Sequence, residues 1–221
     1  DPKLSAINAQ EAAEACGAEF RFNSEVSEIS QENGEVTGVV LATGEKIKSN
    51  VVINIAGPHS FKINEMAGVA ENMNISTKAL RHEVAHVPAP EDMNYEKGGV
   101  IYSDSDIATY ARPEVGNHIL IGSEDPQCDI KEWVSDPDNF NTEFSDQWKT
   151  MVMRLAQRLP NLGIPEHAKG VVSLYDVSDD WMPIYDKSDL KGFYMAVGTS
   201  GNQFKNAPVV GKIMQKLVQC C

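Results

Sequence analysis

The chain has 221 residues, of which 42% are hydrophobic and 23% charged, proportions that are ordinary for a globular protein and exclude collagen, a coiled coil and wholesale disorder. Asp and Glu number 32 against 19 Lys and Arg, so the net charge of −13 repels phosphate backbones and anionic lipids, and we expect no nucleic-acid partner. No apolar run approaches the ~20 residues that cross a bilayer, which predicts a chain without a membrane span. The 4 cysteines form no CxxC pair, which argues against a disulfide framework and favours a cytoplasmic location.

The first elements in chain order are a helix and a β-meander. The pair Asp1-Pro2 is typical of an N-cap and first helical position, and Gly17 predicts the end of the helix. Three strand-like runs, separated by turn residues, then predict the meander: residues 19–22, 26–29 and 36–42.

The middle of the chain changes from an apolar run to an alternating pattern. Residues 47–57 are nearly continuously apolar, which predicts a strand buried on both faces of a parallel sheet and ending at Gly57. Between positions 78 and 125, polar and apolar residues alternate in short runs separated by Pro, Gly and Asp. This pattern predicts an antiparallel sheet.

The last third of the chain returns to helices and an apolar strand. Residues 144–159 predict an amphipathic helix, residues 193–197 a buried strand, and residues 208–218 a closing helix. The order is therefore α/β, then an antiparallel sheet, then α/β again. We predict an α/β plus α+β fold.

The turn after the last predicted strand carries the residues that most strongly indicate ligand binding. Small residues from Gly198 to Gly201 allow backbone N–H groups to approach a ligand, and the next helix N-terminus favours an anion. Lys205 adds a cation that needs an anionic partner. A purely structural connection is the alternative, because a glycine turn of this spacing is not specific by itself.

Several blocks of the sequence resemble one protein family. The run from Gly192 to Pro208 resembles the C-terminal flavin-binding signature of FAD-dependent amine oxidoreductases, the D-amino-acid oxidase, sarcosine oxidase and dimethylglycine dehydrogenase family. Further blocks match in the same order: residues 26–29 with the meander to 44, residues 50–58, residues 110–113 with 119–122, and residues 175–184. The chain is thus similar over nearly its whole length to the C-terminal portion of such an enzyme.

This resemblance implies the C-terminal part of an FAD/NAD(P)-binding, glutathione-reductase-like fold with an inserted antiparallel-sheet substrate domain. Residues 1–70 and 170–221 would be the remnant of the FAD-binding domain, and residues 75–168 the substrate domain. The family's GxGxxG motif occurs nowhere in these 221 residues, so the dinucleotide-binding unit is expected in a missing N-terminal segment or a partner subunit. Residues 51–56 would then form an open apolar edge, through which the chain would form a homo-oligomer or which it would hold poorly ordered.

The resemblance also implies a set of residues around FAD. Cofactor contacts are implied for the following positions: Val26, Ala56, Gly57, Gly198, Ser200, Gly201, Asn202, Gln203, Phe204 and Lys205. FAD is expected to bind noncovalently, because Ser173-Leu174-Tyr175 contains no cysteine where several relatives attach it. Lys205 would supply the positive charge that anionic reduced flavin needs.

Substrate contacts are implied for three side chains, Tyr110, Arg112 and Asn202. Arg112 suits bidentate binding of a carboxylate. Tyr110 and Lys205 are the candidate catalytic residues.

The implied activity is oxidation of a small amine or amino acid, of the sarcosine or dimethylglycine kind, by an FAD-dependent oxidoreductase acting on CH–NH groups. The alternative interpretation is a non-catalytic fragment or binding subunit that needs a partner chain to hold FAD. The substrate amine and the electron acceptor stay open at this point. No metal site is expected, because His82 and His86 have helical spacing in a context that indicates a strand.

Overall fold

The computed structural model describes residues 1–219, which form a mixed α/β structure with antiparallel sheets. The strands are β1 (Val26–Glu32), β2 (Glu35–Leu41), β3 (Lys46–Lys48), β4 (Val52–Asn54), β5 (Thr77–Pro88), β6 (Tyr102–Asp104), β7 (Thr109–Glu114), β8 (His118–Ser123), β9 (Trp133–Val134), β10 (Gly170–Ser178), β11 (Ile184–Lys187) and β12 (Phe193–Val197). The α-helices are α1 (Pro2–Ala15), α2 (Ser60–Met66), α3 (Tyr95–Gly98), α4 (Gln147–Ala156) and α5 (Ala207–Gln219).

Helix α1 begins where the sequence predicts. The Asp1 carboxylate accepts hydrogen bonds from the backbone N–H groups of Lys3 and Leu4, which is N-cap geometry. No residue of α1 is buried, and Leu4 is 55% exposed. The helix is therefore held by its cap and its own hydrogen bonds rather than by a core.

The meander is a three-stranded antiparallel sheet in the order β1-β2-β3, and the predicted strand at residues 19–22 is wrong. Phe20 and Phe22 stack on each other with ring centroids 6.4 Å apart, and both side chains are exposed. An alternating pattern becomes a strand only where a neighbouring strand pairs with it. In the described structure no strand pairs with residues 19–22.

A second three-stranded sheet joins the two ends of the chain, in the order β11-β12-β4. Strand β12 pairs with β4 in parallel, so that Tyr194 lies opposite Ile53, and with β11 antiparallel. All of β12 is buried, because its two faces pack on different cores. Phe193 packs with the meander and α2 region, whereas Ala196 packs beneath Met214 of α5.

The predicted single strand over residues 47–57 is wrong in two respects. It is divided between β3 and β4, because the Ser49 hydroxyl donates to the Val51 carbonyl at 2.6 Å and accepts from the Val51 N–H at 3.2 Å, which turns the backbone from one sheet to the other. The strand is also not buried on both faces. Since β4 has a partner on one side only, Ile53 is 37% exposed, and Ile55 beyond it is 67% exposed.

The large antiparallel sheet has the order β10-β5-β8-β7-β6, with β9 pairing beside β5. Strand β10 pairs with β5 along its whole length, so the sheet continues past residue 168, where the substrate domain is predicted to end. The division of the chain into domains itself stays a prediction.

Helix α4 covers one face of this sheet. Its fully buried residues Met151, Val152 and Leu155 pack against sheet residues such as Ile119 and Ile121. The helix is shorter than the predicted range 144–159 but lies within it. Within residues 1–219, no helix has both the length and the apolar character needed to cross a bilayer.

Candidate functional site

The sheet β11-β12-β4 is called the small sheet, and the sheet that contains β5 and β10 the large sheet. The loops that follow β4 and β12 leave the same end of the small sheet, because the two strands are adjacent and parallel. Each loop contains a glycine in the left-handed region, Gly57 at φ +56° and Gly201 at φ +73°. The 3₁₀ turn Gly57–His59 contacts β10. Gly201 packs on Tyr175 of β10, where an added Cβ would lie 2.3 Å from the ring. Both glycine loops therefore lie beside one strand of the large sheet.

Buried Asn54 fixes the first of these loops. Its Nδ2 donates to the Ser60 carbonyl at 2.9 Å and to Asn64 Oδ1 at 2.8 Å, and its Oδ1 accepts from the Ala56 N–H at 3.1 Å. Our sequence analysis did not assign Asn54 a role. The available signal was a single amide inside an otherwise apolar strand, since a buried polar side chain needs partners.

The second loop is a strained turn that β10 holds in place. Gly198, Ser200 and Gly201 all have positive φ, and this conformation is unfavourable for the non-glycine Ser200. The Asp176 carboxylate accepts from the Gly198 N–H at 2.6 Å, and the Asp176 carbonyl accepts from the Ser200 N–H at 2.7 Å. One buried residue thus anchors the turn at two points.

Asp176 was not among the predicted site residues. Its burial raises its pKa to about 6, although hydrogen bonds from the Gly198 and Thr199 N–H groups act in the opposite direction. Its neighbours Asp179 and Asp180 have turn and cap roles, since they accept from the backbone N–H groups of Ser76 and Met182 respectively. Sequence alone does not separate the anchoring acid from the capping ones.

The tip of the turn is exposed, and its backbone is held by local contacts. Lys205 Nζ donates to the Asn202 carbonyl at 2.5 Å, and Gln203 Oε1 accepts from the Tyr185 hydroxyl at 3.2 Å. Phe204 is 65% exposed. A cation and a flat apolar ring are therefore presented together at the end of the sheet.

A cavity of about 350 Å³ lies between this turn and the large sheet. Its walls contain aromatic, acidic, and small or polar residues: Tyr110, Tyr175, Trp181, Glu124, Asp125, Ser123, Ser200, Gly201 and Asn202. The structure thus places Tyr110, predicted to contact substrate, together with three residues of the C-terminal turn. Trp181, within the matching block at residues 175–184, lines the cavity as well.

Two phenols face each other in this cavity. The hydroxyl oxygens of Tyr110 and Tyr175 are 3.4 Å apart. The Tyr110 ring reaches this position because Gly122 has no side chain, and an added Cβ there would lie 2.1 Å from Tyr110 Cζ. Burial raises the pKa of both phenols. Both hydroxyls therefore keep their protons at neutral pH and can donate hydrogen bonds.

A buried histidine and a carboxylate lie behind the phenols. The His82 ring stacks on Tyr175 with centroids 4.3 Å apart, and His82 Nδ1 is 3.6 Å from Asp125 Oδ2. Burial lowers the pKa of His82 to about 4 and raises that of Asp125 to about 6. At pH 7 the pair is a neutral imidazole beside an ionised carboxylate. In the described part of the chain, no group of three or more His, Cys, Asp or Glu side chains is placed to hold a metal ion.

Among the implied residues that do not line the cavity, Arg112 and Val26 also lie away from both glycine loops. Arg112 is on β7 but pairs with Glu114, Nη2 to Oε2 at 3.0 Å, and donates from Nη1 to the Pro113 carbonyl. Val26 begins β1 opposite Leu41 and packs against the core of the small sheet. Their roles toward substrate and cofactor stay predictions.

Comparison with known proteins gives the family of the chain. The model of the family described as FAD dependent oxidoreductase matches residues 1–217. A curated relative, FAD-dependent oxidoreductase domain-containing protein 1 of Bos taurus, is 24% identical over 188 residues, which are 79% of this chain and 36% of the relative.

Solved structures show the same fold. L-proline dehydrogenase from P. horikoshii superposes with a TM-score of 0.73 at 21% identity, over 93% of this chain and 52% of the enzyme. Glycine oxidase from Bacillus cereus superposes with a TM-score of 0.67 at 20% identity, over 95% of this chain and 53% of the enzyme. Iminodiacetate oxidase from Chelativorans sp. superposes with a TM-score of 0.69 at 14% identity, over 98% of this chain and 54% of the enzyme.

The chain therefore spans about a third of that curated relative and about half of each of these solved structures. The family model, in contrast, covers almost all of the chain. This chain belongs to the FAD dependent oxidoreductase family.

Proposed function

We propose that the chain supplies the substrate sheet and the flavin-facing turn of an FAD-dependent oxidoreductase that acts on the CH–NH group of a small amine or amino acid. The parallel pairing of β4 with β12 carries the proposal. Open α/β sheets bind ligands at the carboxyl ends of their parallel strands. The two glycine loops emerge at this end, and the cavity with Tyr110 adjoins the second of them.

The residues of both loops fit a flavin. A Cβ built on Gly57 meets no atom within 4 Å, so open space adjoins this loop. Phe204 and Lys205 are exposed at the tip of the other loop and suit a planar, anionic group. Bound FAD would supply a hydride acceptor for the carbon next to the substrate nitrogen. We propose noncovalent binding through Val26, Ala56, Gly57, Gly198, Ser200, Gly201, Asn202, Gln203, Phe204 and Lys205.

This chain's own residues would position the substrate. The Tyr110 phenol keeps its proton and can donate to a substrate oxygen or nitrogen, and Asn202 lines the same cavity. Lys205 would stabilise negative charge at the cofactor edge. Arg112 would have to leave Glu114 to bind a substrate carboxylate. The resemblance implies substrates of the sarcosine or dimethylglycine kind, and the proposed substrate class is small secondary and tertiary amines and amino acids.

A second candidate is a non-catalytic or binding subunit that holds FAD only with a partner chain. It is favoured by the exposed edge of β4, where Ile53 and Ile55 face solvent. A missing N-terminal segment, a partner subunit or a second copy of the chain would cover such an edge. A cytoplasmic location likewise stays a prediction.

Reconstitution with FAD tests the proposal. The chain would be purified alone and together with a segment that carries the family's glycine motif, and each sample would be mixed with FAD and desalted. We expect a yellow protein with a flavin absorption band from the combined sample, which small amines bleach under anaerobic conditions. A yellow protein that no amine or amino acid reduces would favour the binding subunit. A combined sample that folds but stays colourless would contradict FAD binding.

A further inference from the structure

We propose that the cavity beside the C-terminal turn binds an alkylammonium group, so that the substrate class of this site is a cationic amine without a carboxylate rather than a zwitterionic amino acid such as sarcosine. The Asp125 carboxylate and the rings of Tyr110, Tyr175 and Trp181 would hold the cation. The reaction of such a substrate rests on the proposed function. The binding of the cation is a property of this chain by itself.

The aromatic walls suit a cation that has lost part of its water. The faces of Trp and Tyr rings attract ammonium groups within about 6 Å of the ring centroid. The Trp181 ring already does so in this structure, since Lys131 Nζ lies 5.4 Å from its centroid. Both cavity phenols are neutral, so their attraction for a cation comes from the ring faces and not from a phenolate charge.

Asp125 brings a negative charge to this cavity, and it also lines the neighbouring cavity that Arg81 and Arg154 line. Its side chain is only 12% exposed, and its sole ion-pair contact among the described residues is His82 Nδ1 at 3.6 Å. His82 is neutral at pH 7, because burial lowers its pKa to about 4. A largely buried carboxylate without a cationic partner is unfavourable, and a bound cation would relieve that cost.

The nearby arginines are already paired with other carboxylates. Arg81 Nη1 lies 2.7 Å from Glu83 Oε1, and Arg154 Nη2 lies 2.5 Å from Asp129 Oδ1. Arg112 pairs outside the cavity, as described above. Among the residues that line the cavity in the described structure there is no Lys or Arg, so none is available there for a substrate carboxylate.

Two further charged groups border the cavity. Glu124 lines it and accepts a hydrogen bond from the Ser103 hydroxyl, and its charge adds to that of Asp125. Lys131 lowers the pKa of Asp125 through its charge but makes no ion pair with it within 4.0 Å. Lys131 thus lies close enough to repel a bound cation without neutralising the carboxylate.

Paired probes that differ only in charge test the inference on the full chain. Choline and 3,3-dimethylbutan-1-ol have nearly the same shape, and acetate is the anionic probe. Each would be titrated at constant ionic strength by calorimetry and by tryptophan fluorescence. We expect choline to bind about tenfold more tightly than the neutral alcohol, and acetate to bind more weakly than either.

Three variants assign this binding to the cavity. Asp125→Asn should weaken choline binding about tenfold and leave the alcohol unchanged, because it keeps the shape of the side chain and removes its charge. Lys131→Gln should strengthen choline binding by roughly twofold to fivefold, because it removes a neighbouring positive charge. Asp106→Asn, at a side chain that is 91% exposed, is the matched control and should change nothing. Thermal unfolding of each variant reports whether it is folded.

The inference is overturned if the alcohol binds as tightly as choline or if neither binds. It is also overturned if acetate binds best and Lys131→Gln weakens the binding of acetate. The last outcome would make Lys131 a carboxylate-binding residue. These results are separate from the proposed function, which is tested by flavin colour and by its bleaching. A yellow protein that amines reduce, but that binds choline no more tightly than the neutral alcohol, would contradict the inference and still support the proposed function.

Discussion

The Asp176 carboxylate and the backbone N–H of Gly198 are 2.6 Å apart, so a buried acid of the large sheet holds the turn that leaves the small sheet. The two groups belong to β10 and to the end of β12, which are not neighbours in any sheet. The contact therefore couples the large sheet to the proposed flavin-facing turn. Asp176 also accepts from the Ser200 N–H through its carbonyl, so one residue holds the turn against the large sheet at two points.

Asp176→Ala is expected to lower the free energy of unfolding by about 2 kcal/mol, because it leaves the Gly198 N–H without its buried acceptor. Urea unfolding followed by tryptophan fluorescence would measure this. Asp106→Ala removes an acid of the same size from an exposed site and should change the free energy by less than about 0.5 kcal/mol. Equal effects of the two substitutions would show that Asp176 does not anchor the turn.

Gly201→Ala is expected to destabilise the protein by at least about 1 kcal/mol, because φ at this position is +73° and an added Cβ would meet the Tyr175 ring. The matched substitution is Gly211→Ala within α5, where an added Cβ meets no atom within 4 Å. That change should stabilise the protein by up to about 1 kcal/mol through helix propensity. Thermal unfolding midpoints that move in the same direction for both variants would contradict the packing of Gly201 on Tyr175.

Asp125→Asn is expected to stabilise the protein at pH 7.5 and to have little effect at pH 4.5. The folded-state pKa of Asp125 is raised to about 6 by burial, above the ordinary value of 3.8. The folded protein therefore binds the proton more readily, and the penalty for the buried charge is fully present above pH 6 and disappears as the pH falls toward 4. Asparagine has no such charge at any pH.

Urea unfolding at the two pH values measures the difference between variant and wild type, which we expect to be on the order of 1–2 kcal/mol at pH 7.5. His82 contributes in the opposite direction, since burial lowers its pKa to about 4, and the comparison removes the part of this contribution that does not depend on Asp125. A difference that is the same at both pH values would rule out a charged Asp125 as its source.

Ile53→Lys is expected to abolish self-association of the isolated chain, because it places a charge on the exposed edge of β4. Light scattering after size-exclusion chromatography, over a range of concentrations, would report the mass. Val115→Lys changes a side chain that is 78% exposed elsewhere on the surface and should leave the association unchanged. A wild-type chain that is monomeric at every concentration would contradict association through this edge.

Elements whose signal lies within the chain segment itself were predicted well. The Asp1 cap of α1, the apolar run of β12 and the amphipathic stripe of α4 each depend on neighbouring residues, and each is present. The strand predicted at residues 19–22 is wrong, because no neighbouring strand pairs with this alternating segment in the described structure. The single strand predicted at residues 47–57 is wrong, because the hydrogen bonds of Ser49 turn the backbone from one sheet to another. A pattern of polarity contains neither piece of information.

The candidate site was predicted only where resemblance or local spacing gave a signal. Tyr110 and the turn at residues 200–202 do lie around one cavity. The groups that organise it were missed, because each acts through a distant partner. Asp176 bonds Gly198, and His82 stacks on Tyr175 across the β5–β10 pair. Such contacts depend on strand register, which the order of polar and apolar residues does not specify.

The central claim, that the loops after β4 and β12 bind one flavin together, is tested most directly by hydrogen exchange. The chain would be combined with the segment that carries the glycine motif, and exchange would be compared with and without FAD. We predict that FAD slows exchange in residues 55–59 and 198–206 together and leaves the turn at residues 105–108 unchanged. FAD that binds without protecting either loop would contradict the claim.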